Sequence, residues 1–447
     1  MVQYRHSKLY FGCSNVLLSF SLVVSCRSPQ TPTISNHPTT PLPNYHTTKL
    51  YLSRNEINPL HLEAPLSKPR LRFIDLARSI AVIMMLEGHC TGMALDKVYR
   101  STEYPLYNFW FFIHNTTSPL FFTISGLVFA YLLTGKTTEP FFEMKRVKKG
   151  FKRVVELLIW GYLLQLDLRG VYNHVFNNIP YDMSWFAAFH VLQSIAVGIF
   201  GLLVIYGIQR WIGKVALHWY YLFAALIFFY FNAWLNHTIM HDQAMIAQGL
   251  QSTKSFYPTD VPLFIQNMFY GPFSEFSVIR YLEFTLIGGM LGSIIRKNES
   301  RIFSYKFILT FAGSGILTLL FAQPVLRYLD VYLNHWKLAN AAVHESNTLA
   351  IQVLGMIVIF ISMLMLADKF KLIKDSLFLR VGQNTLVIYI VHVIILYGGI
   401  FGVGLYPHVL NQSMTPLSAA LFSAGFVLFF IMLVWVIESG FRSIKSN

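Results

Sequence analysis

Ten runs of mainly apolar residues divide this chain: 73–93, 117–135, 153–168, 185–207, 217–235, 277–296, 304–323, 349–367, 382–404 and 416–438. A helix needs about 20 such residues to cross a ~30 Å hydrocarbon layer. In lipid, backbone groups must be paired within the spanning element, so runs of this length and number dictate helices. The expected fold is all-α: a polytopic transmembrane helical bundle of about ten spans. The third run, 153–168, is short, and its ends are hard to place.

Cationic residues alternate between the loops. One set of loops holds Lys68, Arg70 and Arg72; Lys136, Lys145, Arg146, Lys148, Lys149, Lys152 and Arg153; Arg210 and Lys214; Arg296, Lys297, Arg301 and Lys306; Lys369, Lys371, Lys374 and Arg380; and Arg442 and Lys445. The opposite set is much poorer. The positive-inside rule then puts both termini in the cytoplasm. This pattern also accounts for the net charge of +14 without nucleic acid. With 54% hydrophobic and 13% charged residues, the chain is far from a soluble domain, in which about a quarter are charged. Cys13, Cys26 and Cys90 form no disulfide or metal-binding spacing.

Residues 1–66 read as a separate tail. Positions 27–66 are rich in Pro, Ser, Thr and Asn and have no period, as in disordered segments. Residues 9–25 resemble a short signal core, and VVSC at 23–26 resembles a lipoprotein cleavage site. A cleaved signal would reverse the topology set by the loops, so the favoured reading is sequence upstream of the true start. The membrane domain is expected over 67–442. The longer outer loops, 236–276 and 324–348, carry His237, His241, Asp242, Asp260, Glu275, Asp330, His335, His344 and Glu345, read mainly as solvated.

The first run, DLARSIAVIMMLEGHC at 75–90, carries Asp75, Arg78, Glu87 and His89. Each ionised group near a helix centre costs about 2.5–3.5 kcal/mol on insertion scales, and such groups face a bundle interior or a cavity. At 100° per residue, Arg78 and His89 lie on one face about 16 Å apart. Asp75 lies one turn from Arg78, close enough to pair, and Glu87 lies on another face. The stripe therefore puts Asp75 and Arg78 at the cytoplasmic end and His89 toward the outer side of one passage.

Four segments carry a family resemblance: IDLARSIAVIMMLEGH (74–89) with its R-x10-H spacing, HNTTSPLFFTISG (114–126), FHVLQSIAVG (189–198) and VGQNTLVIYIVH (381–392). Together they resemble the acyltransferase-3 superfamily, in particular the branch of heparan-alpha-glucosaminide N-acetyltransferase and its bacterial relatives. Ser194 departs from the Arg that this family favours there. The resemblance implies a multi-pass enzyme of the bacterial inner membrane. It would take an acyl group, acetyl by expectation, from cytoplasmic acyl-coenzyme A to a sugar or glycan amine or hydroxyl on the outer side.

Under this reading His89 is the first candidate base and His114 the second, since a neutral imidazole can take the acceptor's proton. Arg78, with Asp75, is the candidate donor-binding group, because Arg pairs well with phosphate. The basic run 145–153 adds attraction for coenzyme A or anionic lipid. His190, Gln193, Asn384 and His392 are candidate cavity-lining residues; Asn384 is also a candidate cap or interhelical hydrogen-bonding group. No metal is expected. Membrane lipid is the expected surrounding partner, and a homodimer is a possible assembly. A covalent acyl-histidine and a direct attack are both compatible with these residues. Ser125–Gly126 reads as close helix packing, not a nucleophile. The rival class is a transporter of a small polar solute, but no matched repeat halves are visible.

Overall fold

The structure is a computed structural model and describes residues 71–446 apart from 102, 136–138, 182–185, 187, 248–260, 270–275, 337–342 and 375. The expected tail over 1–66 lies outside these residues, and so does what was expected of His237, His241, Asp242, Asp260 and Glu275. The described elements are α1 (Arg72–Ala94), α2 (Pro105–Leu133), α3 (Lys145–Leu163), α4 (Leu168–Asn177), α5 (Val191–Ile212), α6 (Leu217–Ala247) and α7 (Leu263–Phe269). They continue with α8 (Val278–Lys297), α9 (Tyr305–His335), α10 (Val343–Lys369), α11 (Leu377–Gln383), α12 (Thr385–Tyr397), α13 (Leu405–His408) and α14 (Pro416–Ser446). No strand occurs among the described residues.

The protein is an all-α, multi-pass membrane protein. Six helices are long and apolar enough to span a bilayer: α2, α5, α8, α9, α10 and residues Pro416–Ser439 of α14. The pair α11–α12 passes the same measure as one span bent by 82°. By length and composition the count is thus six or seven, against ten runs in the sequence. The remaining runs fall in α1, interrupted by Arg78 and Glu87, in α3, half of it basic, and in α6, which opens on His218, Trp219, Tyr220 and Tyr221.

Several helices outrun their expected bounds. α3 begins at Lys145, inside the basic run, because Val147, Gly150, Val154, Leu157 and Gly161 form a buried stripe at helical spacing. Lys145, Lys148, Lys149 and Lys152 stay exposed on the opposite face. α9 reaches His335, and Asp330 is buried rather than a solvated loop residue. Its carboxylate accepts the backbone N–H groups of Val343 (2.7 Å) and His344 (3.1 Å) and pairs with the His344 ring. Asp330 therefore caps α10, satisfying donors that a helix start leaves orphaned.

α1 is held at both ends. At its start, Phe73 N–H donates to Asp368 Oδ2 (3.1 Å) and Arg72 to the Ile373 carbonyl (3.2 Å). At its end, Arg100 donates to the carbonyls of Gly92 (2.7 Å) and Leu95 (2.5 Å), as basic side chains do at helix C-termini. The chain before α14 joins there too, with Met414 N–H donating to the Ala94 carbonyl (2.9 Å).

Helices α2 and α8 meet backbone to backbone. A Cβ on Gly288 would collide with the Thr123 carbonyl, one on Gly292 with the Leu127 carbonyl, and one on Gly126 with the Thr285 carbonyl. Small residues at such seams let membrane helices approach this closely, and this is what Gly126 of the ISG segment does. Gly288→Ala is expected to destabilise the protein by about 1–3 kcal/mol through overpacking. Gly313→Ala, in α9, meets nothing within 4 Å and is expected to be neutral or stabilising. Thermal melting of both variants in detergent checks this.

Candidate active site

The site grows from the contact of α1 with the broken helix α11–α12. Gly382 lies so close to α1 that a Cβ there would strike the Asp75 carbonyl and the Ser79 hydroxyl. The Ser79 hydroxyl donates to the Phe378 carbonyl (2.7 Å) and accepts the Gly382 N–H (2.9 Å). Gln383 donates to Asp75 Oδ2 (3.4 Å). Asn384 sits at the break with φ −102° and ψ 26°, and its side-chain amide donates to the Arg380 carbonyl (3.0 Å). A break in an apolar helix is tolerated when side chains take up nearby backbone groups, as Asn384 does for the Arg380 carbonyl. Asn384 thus holds the bend and does not line the cavity described below.

That bend sets α12 beside the polar stripe of α1. Arg78 donates to Thr385 Oγ1 (3.1 Å) and lies 3.9 Å from the buried carboxylate of Asp75. Arg78 also lines a cavity of about 160 Å³. Other lining residues are Arg153 of α3, Ser125 of α2, Thr385 and Tyr389 of α12, and apolar side chains such as Leu157. Arg153 is paired with Glu156 at 2.9 Å. The cavity is therefore an apolar slot with two guanidinium groups in its wall. Its α5 wall is Leu192, Ile195 and Ile199, so His190 and Gln193 do not line it. His190 is the residue before the first turn of α5, and Gln193 is fully buried against Gly161 with neither amide atom bonded.

Eleven residues along α1, His89 meets two other imidazoles. Its ring stacks on His392 at 5.6 Å with 25° between planes, and meets His114 edge-on at 6.4 Å. Tyr397 Oη lies 2.9 Å from His89 Nδ1. Behind His114, Trp110 stacks at 5.1 Å with 5° between planes, and the indole N–H donates to Glu87 Oε1 (2.9 Å). Glu87 also accepts the Thr91 hydroxyl (2.8 Å), so its carboxylate orients the Trp110–His114 stack from the other face of α1. Gly88 makes this seat possible, because any Cβ there would run into the His114 ring. Among the described residues no three His, Cys, Asp or Glu converge as metal ligands would.

The structure thus brings His89, His114 and His392 together, and Asp75 and Arg78 together, but not in one open passage. Tyr389, in the cavity wall, meets His392 edge-on at 5.0 Å and 82°. His392 lies behind that ring and does not line the cavity. Sequence reasoning missed Tyr389, Thr385, Tyr397 and Trp110. Two had a local signal: Tyr389 is three residues before His392 and Trp110 four before His114, which places each pair on one helix face. The Tyr397–His89 contact spans 308 positions and has no such signal.

No curated protein matches the chain. The sequence profile of an acyltransferase domain, Acyl_transf_3, matches residues 71–437, from the start of α1 into α14. That match covers the cation stripe, the cavity, the imidazole cluster and the bent helix, and the chain belongs to the acyltransferase-3 family of membrane acyltransferases.

Proposed function

We propose that this acyltransferase carries an acyl group, acetyl by the family branch it resembles, from acyl-coenzyme A to an amine or hydroxyl of a sugar or glycan on the opposite side of a bacterial inner membrane. The observation that carries this reading is the division of one face of α1. Arg78 opens on an apolar, arginine-walled cavity, and His89 heads a cluster of imidazoles at the other end. The cavity suits a pantetheine arm and acyl thioester, with Arg78 and Arg153 available to phosphate or amide oxygens. The side chains around His89 suit an acceptor that must lose a proton.

In this mechanism the acceptor nitrogen or oxygen attacks the thioester carbonyl. A neutral His89 takes its proton. If Nδ1–H donates to Tyr397, Nε2 keeps the lone pair that acts as base. The new C–N or C–O bond forms as the C–S bond breaks, and the coenzyme A thiolate leaves and is protonated. Tyr389 and His392 mark where donor and acceptor meet.

The test is labelled acetyl-coenzyme A with purified protein and amino-sugar or glycan acceptors. Coenzyme A release that requires acceptor, together with labelled glycan, is the expected result. Acceptor-independent movement of solute with no thioester cleavage would instead support a carrier. His89→Ala is expected to lower kcat by about 10²–10⁴-fold, the usual contribution of a positioned base, without lowering the melting temperature. Arg78→Ala is expected to raise the KM for the donor by about 10-fold or more, in line with losing a hydrogen bond from a charged group. Initial-rate kinetics with varied donor check both.

A further inference from the structure

We infer that the hydroxyl of Tyr389 is the hydrogen-bond donor that stabilises the oxyanion formed on the thioester carbonyl. The inference rests on the acyl-transfer reading and adds a catalytic residue to it.

Tyr389 holds the position that joins the two halves of the site. It is 9% exposed, it lines the cavity with Arg78 and Thr385, and its ring lies edge-on against His392. Because Tyr389 both lines the slot and touches His392, a thioester held beside Arg78 and Arg153 can lay its carbonyl against this ring. Buried tyrosines usually engage their hydroxyl, because an unmet polar group in a dry interior is costly. No hydrogen bond joins the Tyr389 hydroxyl to another described residue. The neighbouring hydroxyl of Thr385 already accepts from Arg78. Tyr389 therefore offers an uncommitted O–H in the cavity wall, held in place by ring packing rather than by a bond it would have to break.

The chemistry balances without a further reactant. As the acceptor adds, the carbonyl oxygen gains negative charge and draws in the phenol O–H as a hydrogen bond. The phenol keeps its proton. Collapse of the tetrahedral centre reforms the carbonyl, expels the thiolate and returns the hydroxyl to its starting state. Removing one such donor typically costs about 10²–10³-fold in kcat.

Tyr389→Phe removes only the oxygen. It is expected to lower kcat about 10²-fold while the donor KM stays within about twofold of the unsubstituted protein, since the bond strengthens only in the transition state. Thr310→Ala removes a hydroxyl of α9 that does not line the cavity, and is expected to leave kcat nearly unchanged. Should the Phe variant fold poorly, 3-fluorotyrosine at position 389 keeps the shape and makes the phenol more acidic. The stronger O–H donor is then expected to change kcat while the donor KM stays within about twofold. A Tyr389→Phe variant with undiminished kcat, or an unchanged kcat with fluorotyrosine, overturns the inference while acyl transfer stands. If the unsubstituted protein releases no coenzyme A with any acceptor, the acyl-transfer reading falls and this inference with it.

Discussion

The hydroxyl of Ser79 is the joint around which the site is assembled. It gives its proton to the Phe378 carbonyl and takes the Gly382 N–H, two backbone groups next to a break that turns the chain by 82°. These bonds tie α11 to α1 just before the bend. With them, α12 leaves the bend at an angle that sets Thr385 on Arg78, Tyr389 on the cavity and His392 on His89. One small side chain on α1 thus places three others on α12.

The imidazoles are arranged by stacking rather than by carboxylates. His89 is stacked on His392 and bordered by His114 and Tyr397, and His114 is backed by Trp110. Aromatic contacts fix ring orientation, and Nδ1 of His89 and of His392 is engaged by Tyr397 and by the Ile388 carbonyl. The carboxylate of the region, Glu87, stands one ring away, holding the indole rather than an imidazole. This arrangement orders the histidines without binding a strong negative charge to the proposed base.

Much of this was legible in the sequence, for a physical reason. Ionisable residues are so costly in an apolar helix that Asp75, Arg78, Glu87 and His89 announce a site, and helical period alone puts Arg78 and His89 on one face. The pairing of Asp75 with Arg78 follows from one turn of helix. What was not legible depends on contacts between distant segments. His190 and Gln193 are at α5, but only packing decides that Leu192 and Ile195, one step around the helix, form the cavity wall. Asn384 was visible as a polar residue in an apolar run, while its duty at the bend needed the bend itself. The start of α3 was missed because its lysines hid a buried stripe of Val147, Gly150 and Val154.

The meeting of Tyr389 with His392 has a consequence beyond reactivity. The Tyr389 ring lines the arginine-walled slot and meets the nearest imidazole, His392, edge-on. The slot and the histidine cluster are thus neighbouring recesses that touch at one ring pair, so a change at Tyr389 bears on both.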